Sequence, residues 1–276
     1  MSTDTEKSTG ILYWLDENFE NIFLVSGLLA IICFITWQVV YRYFITPFID
    51  RAGAAVWTEE ISRYIFIWIS YIAVGGAIRK RSSIRIDFVY QMLPPRLQRI
   101  SWIFVELIFL TLTLTIAWYG WGQIERLQRF PQHTAAMRIP FLIPYLILPL
   151  GFGLMSLRLV QSMIRQVKVT GVPDSLIGAV LAVAVMSPCV LAEYIDPVPA
   201  LFGYFLVFCV TGVPIAIGLG MSALTTILCA DTLPIEYLAQ VSFTSLDSFP
   251  IMAIPFFIAA GVFMGAGGLS QRLLGL

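Results

Sequence analysis

Apolar residues fall in long unbroken blocks along this chain, and the polar residues gather between them. Blocks at 22–41, 61–78, 100–122, 139–157, 175–192 and 249–269 each have about the length of helix that crosses a hydrocarbon layer ~30 Å thick. A further stretch, 198–230, runs for 33 residues without a charge. As one straight helix it would approach ~50 Å at 1.5 Å per residue, more than one upright crossing uses. Thr211-Gly212-Val213-Pro214, followed by Gly218 and Gly220, predicts an interruption or sharp bend near Pro214. Hydrophobic segments broken by Gly and Pro are a feature of transporter architecture. Pro250 and Pro255 are further helix-break candidates in the last block, and Pro140, Pro144 and Pro149 predict kinks in the fourth. The pattern as a whole predicts an all-α integral membrane protein with about seven transmembrane helices.

The segments between the blocks orient them. Ahead of the first lies an acidic leader in which Trp14 and Phe19 suggest a short helix along the membrane surface. The loop after the second block carries Arg79, Lys80, Arg81, Arg85, Arg96 and Arg99 against the single acid Asp87. The positive-inside rule places it in the cytoplasm. Alternation then puts ten Lys/Arg inside and six outside for the first four spans. Within the basic loop, Ile84, Ile86, Phe88, Val89 and Met92 can form a short amphipathic helix on the lipid bilayer.

Composition narrows the chemistry. Hydrophobic residues make up 58% of the 276 positions and charged residues only 12%, about half the charged share of a soluble domain. Net charge is zero, which leaves no bulk electrostatic argument for nucleic acid as a partner. Cys33, Cys189, Cys209 and Cys229 all lie in apolar stretches without a CxxC spacing, and His133 is the one histidine. They read as small buried hydrophobes, excluding a metal centre or a disulfide framework. With neither HExxH nor GxSxG in the chain, a membrane enzyme lacks its nucleophile and its ligands.

Four charged positions stand out. Glu59 and Glu60 sit in the first turn of the second span, favoured there by the helix dipole. Glu59 and Arg63 share a face at i and i+4, and the group reads first as a capped, solvated helix start, with the alternative that Glu60 and Arg63 point into protein and hold a partner helix. Glu106 is a carboxylate inside the third span, near its cytoplasmic third. An isolated charge is costly at that depth, so it is expected to be protonated, paired with Arg79 or Arg99, or reached by water. Its expected role is helix packing, with ion handling as the alternative. The segment 123–138 reads as a polar outer loop in which His133 is a surface residue or a docking contact for a soluble partner.

These residues carry a resemblance. Trp57-Thr-Glu-Glu-Ile-Ser-Arg63, then Arg79 to Ile84-x-Ile86-Asp87, then Met137-x-Ile-Pro140 with Tyr145 and Pro149-x-Gly151, resemble the small four-helix subunit of tripartite ATP-independent periplasmic (TRAP) transporters. Gly212-Val-Pro-Ile-Ala, Gly218-Leu-Gly, Asp247-Ser-Phe-Pro-Ile-Met-Ala-Ile-Pro-Phe-Phe and Met264-x-x-Gly267-Gly268-Leu are similar to the start of the large subunit. The resemblance divides the chain into a small-subunit-like unit at 1–170, a connecting transmembrane helix at 171–196, and the start of the large transport subunit at 197–276. Within it, Glu59, Glu60 and Arg63 match a small-subunit motif and Asp87 the acid of the cytoplasmic segment. Ser83 stands where small subunits often carry a histidine. The resemblance implies a permease of the bacterial inner membrane that takes up organic anions, usually carboxylates. Uptake would be driven by Na+ as coupling ion and fed by a periplasmic substrate-binding protein. It implies no covalent cofactor, and it places the ion and substrate ligands in the remainder of the large subunit, beyond Leu276. The run 271–276 reads as the beginning of another helix, so the chain is expected to be truncated. The competing reading is a scaffold subunit that transports nothing by itself.

Overall fold

The computed structural model describes residues 11–46, 55–79, 94–170, 172–191, 196–230, 233–268, 272 and 275. Asp87 and Ser83, with the amphipathic segment around them, lie outside the described residues. The described chain is helical: α1 Ile11–Val40, α2 Val56–Arg79, α3 Pro95–Arg129, α4 Leu142–Tyr145, α5 Ile147–Thr170, α6 Val172–Leu191, α7 Pro197–Val210, α8 Ile215–Ala230, α9 Glu236–Thr244 and α10 Phe249–Ala266. Five apolar helical stretches are long enough to cross a membrane: Asn18–Ile45, Val56–Arg79, Pro95–Arg129, Leu142–Val167 and Phe249–Ala266. Shorter apolar helices occupy Pro173–Met186, Pro197–Val210 and Ile215–Cys229. An all-α membrane protein follows from composition and structure together, because in lipid a helix satisfies its own backbone groups.

Four boundaries differ from the sequence pattern. The leader is not a separate surface helix from Ile11 onward, because α1 runs unbroken through Val40 into a π-helical turn at Tyr41–Ile45. No proline interrupts 11–40, and a continuous helix keeps every backbone hydrogen bond that a break would leave open. The third span is longer than expected. α3 has 35 residues, about 52 Å, so 123–129 project outward as helix rather than loop. In the fourth span the prolines fall in its first turns, with Pro144 in the short α4 and Pro149 in the first turn of α5. The helix continues past the expected end at Leu157 to Thr170 and carries Arg158 within it.

The fourth difference is at 198–230. The break at Pro214 is a reversal that makes α7 and α8 an antiparallel hairpin. Gly212 adopts φ +84°, a left-handed conformation that glycine reaches without a Cβ clash. Its N–H donates to Cys209 O (3.2 Å) and that of Val213 to Phe208 O (3.0 Å). This is the paired bonding that closes a helix C-terminus, with the accompanying apolar contact supplied by Phe208 and Val213, both fully buried. With 14 and 16 residues, each arm is only about 21–24 Å long. The tip rests on α3, where Ser101 Oγ donates to Thr211 O (3.1 Å). In the last block Pro250 occupies the first turn of α10, and Pro255 lies inside the helix without ending it.

One large apolar core joins α2, α3 and α5 to α6, α7, α8 and α9, and a smaller cluster of Ile31, Phe66, Ile69 and Met252 joins α1 and α10 to α2. Tyr64, Ile108, Leu148 and Met155 of α2, α3 and α5 belong to the same buried cluster as Phe208, Met221 and Phe243 of α7, α8 and α9. α1 packs on α2 at close range: a Cβ at Gly27 would lie 2.3 Å from Ile69 Cγ2. Close approach of this kind is what holds helices together in lipid, where apolar burial alone gives no preference for a neighbouring helix.

Candidate functional site

The first turn of α2 sorts its three charged residues onto three different neighbours. Glu59 Oε1 accepts from Gln38 Nε2 (2.7 Å), tying α2 to α1. Glu60, 4% exposed, accepts the N–H groups of Ala136 (3.0 Å) and Met137 (2.7 Å) on Oε2 and the Tyr64 hydroxyl (3.1 Å) on Oε1. It therefore holds down the tip of a small β-bridged loop, in which Thr134 N–H donates to Ile139 O and Phe141 N–H to Gln132 O. Arg138 in this loop has φ +53°, a conformation few side-chain-bearing residues adopt. The two backbone donors fixed by Glu60 immediately precede it.

Arg63 reaches furthest. Its Nε donates to Asp247 Oδ1 at 2.8 Å, with both side chains about one quarter exposed. Asp247 lies just ahead of α10. Glu59 and Arg63, expected to share a face, thus have separate partners. Around the Arg63–Asp247 pair α9 is held at several further points. The Tyr71 hydroxyl donates to Ser242 O, Tyr145 stacks on Phe243 with ring centroids 4.0 Å apart, and Gln123 Nε2 donates to Glu236 O (3.4 Å). The cluster occupies the outer ends of α2 and α3 and ties residues of 197–276 onto the four-helix unit.

Glu106 sits on α3 facing α5, 5% exposed. Its Oε1 accepts from Trp102 Nε1 (2.9 Å) one turn earlier and from Ser162 Oγ (2.5 Å) across the interface. Its Oε2 has no hydrogen-bond partner in the protein. The expected pairing with Arg99 does not form, because Arg99 and Arg96 both turn to Asp174 of α6, at 3.5 and 3.1 Å. About two turns further along the same antiparallel seam, Ser156 Oγ bonds Thr113 Oγ1 (3.0 Å). Replacing Glu106 by Leu removes the acceptor of the buried Ser162 hydroxyl, at a cost of about 1–3 kcal/mol, and that of the half-buried Trp102 indole. Glu106→Leu is therefore expected to lower the thermal midpoint in detergent, and Glu106→Gln, which keeps an acceptor, to leave it nearly unchanged. Equal midpoints for Glu106→Leu and the parent protein would exclude this packing role.

One strong contact has no counterpart in the sequence pattern. Arg158 of α5 donates to Glu20 of α1 through Nε (2.9 Å) and Nη2 (2.7 Å), with side-chain exposures of 6% and 5%. Both residues belong to the inner ends of their spans, the signal that could have paired them. Among the described residues no group of three or more His, Cys, Asp or Glu could hold a metal ion.

Two family models divide the chain along the same line as these contacts. The DctQ component of tripartite ATP-independent periplasmic transporters matches residues 31–169, and the DctM component matches 202–276. The chain belongs to the TRAP transporter permease family. It is 57% identical over 275 residues to the isethionate TRAP transporter permease protein DctMQ of Oleidesulfovibrio alaskensis, a match covering all of this chain and 43% of that protein. It is 24% identical over 234 residues to the sialic acid TRAP transporter permease protein SiaT of Haemophilus influenzae, covering 79% of this chain and 38% of that one. A C4-dicarboxylate TRAP transporter large permease protein, DctM of Rhodobacter capsulatus, is 42% identical over 74 residues, 27% of this chain and 17% of its own length. The chain thus spans less than half the length of these relatives. TRAP permeases are transporters rather than enzymes, and this one is a multi-pass protein of the bacterial inner membrane with small-subunit and large-subunit sequence fused in one polypeptide. In these terms the Arg63–Asp247 pair joins DctQ-type sequence to DctM-type sequence.

Proposed function

We propose that this chain is the scaffold and the first segment of the transport unit of a sodium-driven permease. The permease takes up small organic anions, carboxylates or sulfonates, delivered by a periplasmic substrate-binding protein. The observation that supports this reading is the buried core common to the DctQ-type and DctM-type parts, locked at its outer edge by Arg63–Asp247. A unit built this way gives a transport element a fixed frame against which to move. The 57% identity to an isethionate permease favours a short anionic substrate, and isethionate is the first to try. Coupling to Na+ and the division at 1–170, 171–196 and 197–276 belong to the same proposal.

The full-length permease in proteoliposomes, with its binding protein outside and an inward Na+ gradient, is expected to accumulate radiolabelled isethionate. Accumulation is expected to stop when Na+ is equal on both sides. Uptake indifferent to Na+ would rule out the coupling. Because the present chain covers 43% of its fused relative, the 276-residue form is expected to insert and assemble without moving solute. Uptake by that form alone would overturn its role as scaffold.

A further inference from the structure

The outer end of α3 runs against the charge rule that orients the rest of the protein. Arg126, Arg129 and Arg138 lie on the outer face, all exposed, where Lys and Arg are normally depleted in favour of the cytoplasmic side. Among the described residues no carboxylate lies within ion-pair distance of any of the three. The acids around them are committed elsewhere: Glu59 to Gln38, Glu60 to the loop amides, Glu125 to Trp121 Nε1, and Asp247 to Arg63. Asp196 and Glu236 are the other described acids of this face. Arg126 lines a cavity of about 460 Å³, whose walls also include Gln123, Gln132 and Tyr145 from the DctQ-type part and Gln240 and Asp247 from the DctM-type part, while Arg129 and Arg138 stand exposed on the same helix end and in the loop that follows it. Arg126 is its one cationic wall residue. With Asp247 neutralised by Arg63, the remaining polar lining consists of carboxamides and hydroxyls that can bond an incoming carboxylate.

We propose that this cavity and its arginine rim are the docking surface for an acidic patch on the soluble binding protein, with Arg126 receiving a carboxylate side chain in the cavity and Arg129 and Arg138 steering the approach. The proposal rests on the binding-protein-dependent reading above. Three unpaired guanidinium groups beside a polar socket provide long-range attraction and a directional end point, the two things a transient encounter between a membrane protein and a soluble partner needs. The cavity wall spans both sequence types, so a partner side chain seated there touches the scaffold and the start of the transport unit together.

The test uses the full-length permease in nanodiscs and the immobilised periplasmic binding protein encoded with it, in 50 mM and 300 mM KCl. The parent permease is expected to bind, and to bind markedly less well at the higher salt. Arg126→Glu is expected to weaken binding by about tenfold or more, and the triple variant Arg126→Gln, Arg129→Gln, Arg138→Gln to flatten the salt dependence. All three side chains are exposed, so size-exclusion profiles should match the parent. Unchanged affinity and salt slope in both variants, or no binding by the parent permease, overturns the proposal. So does an effect seen only in phosphatidylglycerol-containing discs, which would assign the arginines to lipid, or only on direct binding of free isethionate, which would make the cavity a small-anion site. Uptake is measured separately: salt-dependent binding without Na+-driven uptake sustains the docking surface while the coupling reading fails.

Discussion

Arg158→Met, made with Glu20 left in place, is expected to destabilise the folded protein by about 3–5 kcal/mol, because it leaves an uncompensated carboxylate buried between α1 and α5. Glu20→Leu should also destabilise, because it removes the carboxylate from a buried guanidinium that keeps only neutral partners such as Gln161 Oε1 (3.1 Å). Both are read as a lower thermal midpoint in detergent and reduced accumulation in the membrane. The double variant Glu20→Leu, Arg158→Met should recover most of the loss, since well-packed apolar residues can replace a buried pair at little net cost. The pair contacts through two nitrogens of one guanidinium, and both side chains are about 95% buried. Water therefore cannot take over the role of the missing partner. Single variants as stable as the parent would show that the inner ends of α1 and α5 are wet enough to solvate either charge.

The sequence made the crossings legible and left their pairings mostly hidden, for reasons that differ from residue to residue. Trp102 and Glu106 stand four apart on one helix, a spacing that could have been read directly. Ser162, the other partner of Glu106, could not, because it depends on the register of α3 against α5. The charge-free run 198–230 announced a break through its length and through Gly212. That the two arms fold back rather than bend depends on α3, which receives the tip at Ser101 and accommodates Gly220 beside Leu112, where a Cβ would approach to 2.9 Å. Glu60 and Arg63 were recognisable as charges at a membrane boundary that need partners. Their partners lie 76 and 184 residues away, beyond any local periodicity. The partner of Arg158 was hidden for a related reason: charge counting orients a span but does not pair its end with Glu20, 138 residues away on another helix.

The Arg63–Asp247 pair decides whether the DctM-type segment is held by charge or by packing alone. With the full-length permease expressed as two polypeptides divided between α6 and α7, Arg63→Ala or Asp247→Ala is expected to cut recovery of the second polypeptide with the tagged first, with each still inserting in the membrane. The coupling expected from a double-mutant cycle is about 1–3 kcal/mol, above an exposed pair and below a fully buried one, because each side chain is about one quarter exposed. Exchanging the charges, Arg63→Asp with Asp247→Arg, should restore part of the recovery that either single reversal loses. The loss should be greater for uptake than for co-purification. Tyr71, Tyr145 and Gln123 continue to hold α9 when the pair is broken, whereas Asp247 sits at the entry to α10, which packs through Met252 on Ile31 of α1 and on Phe66 and Ile69 of α2, so the entry angle of α10 depends more directly on the pair. Full recovery of the second polypeptide in both alanine variants, with normal uptake, would mean that the shared core alone holds the two sequence types together.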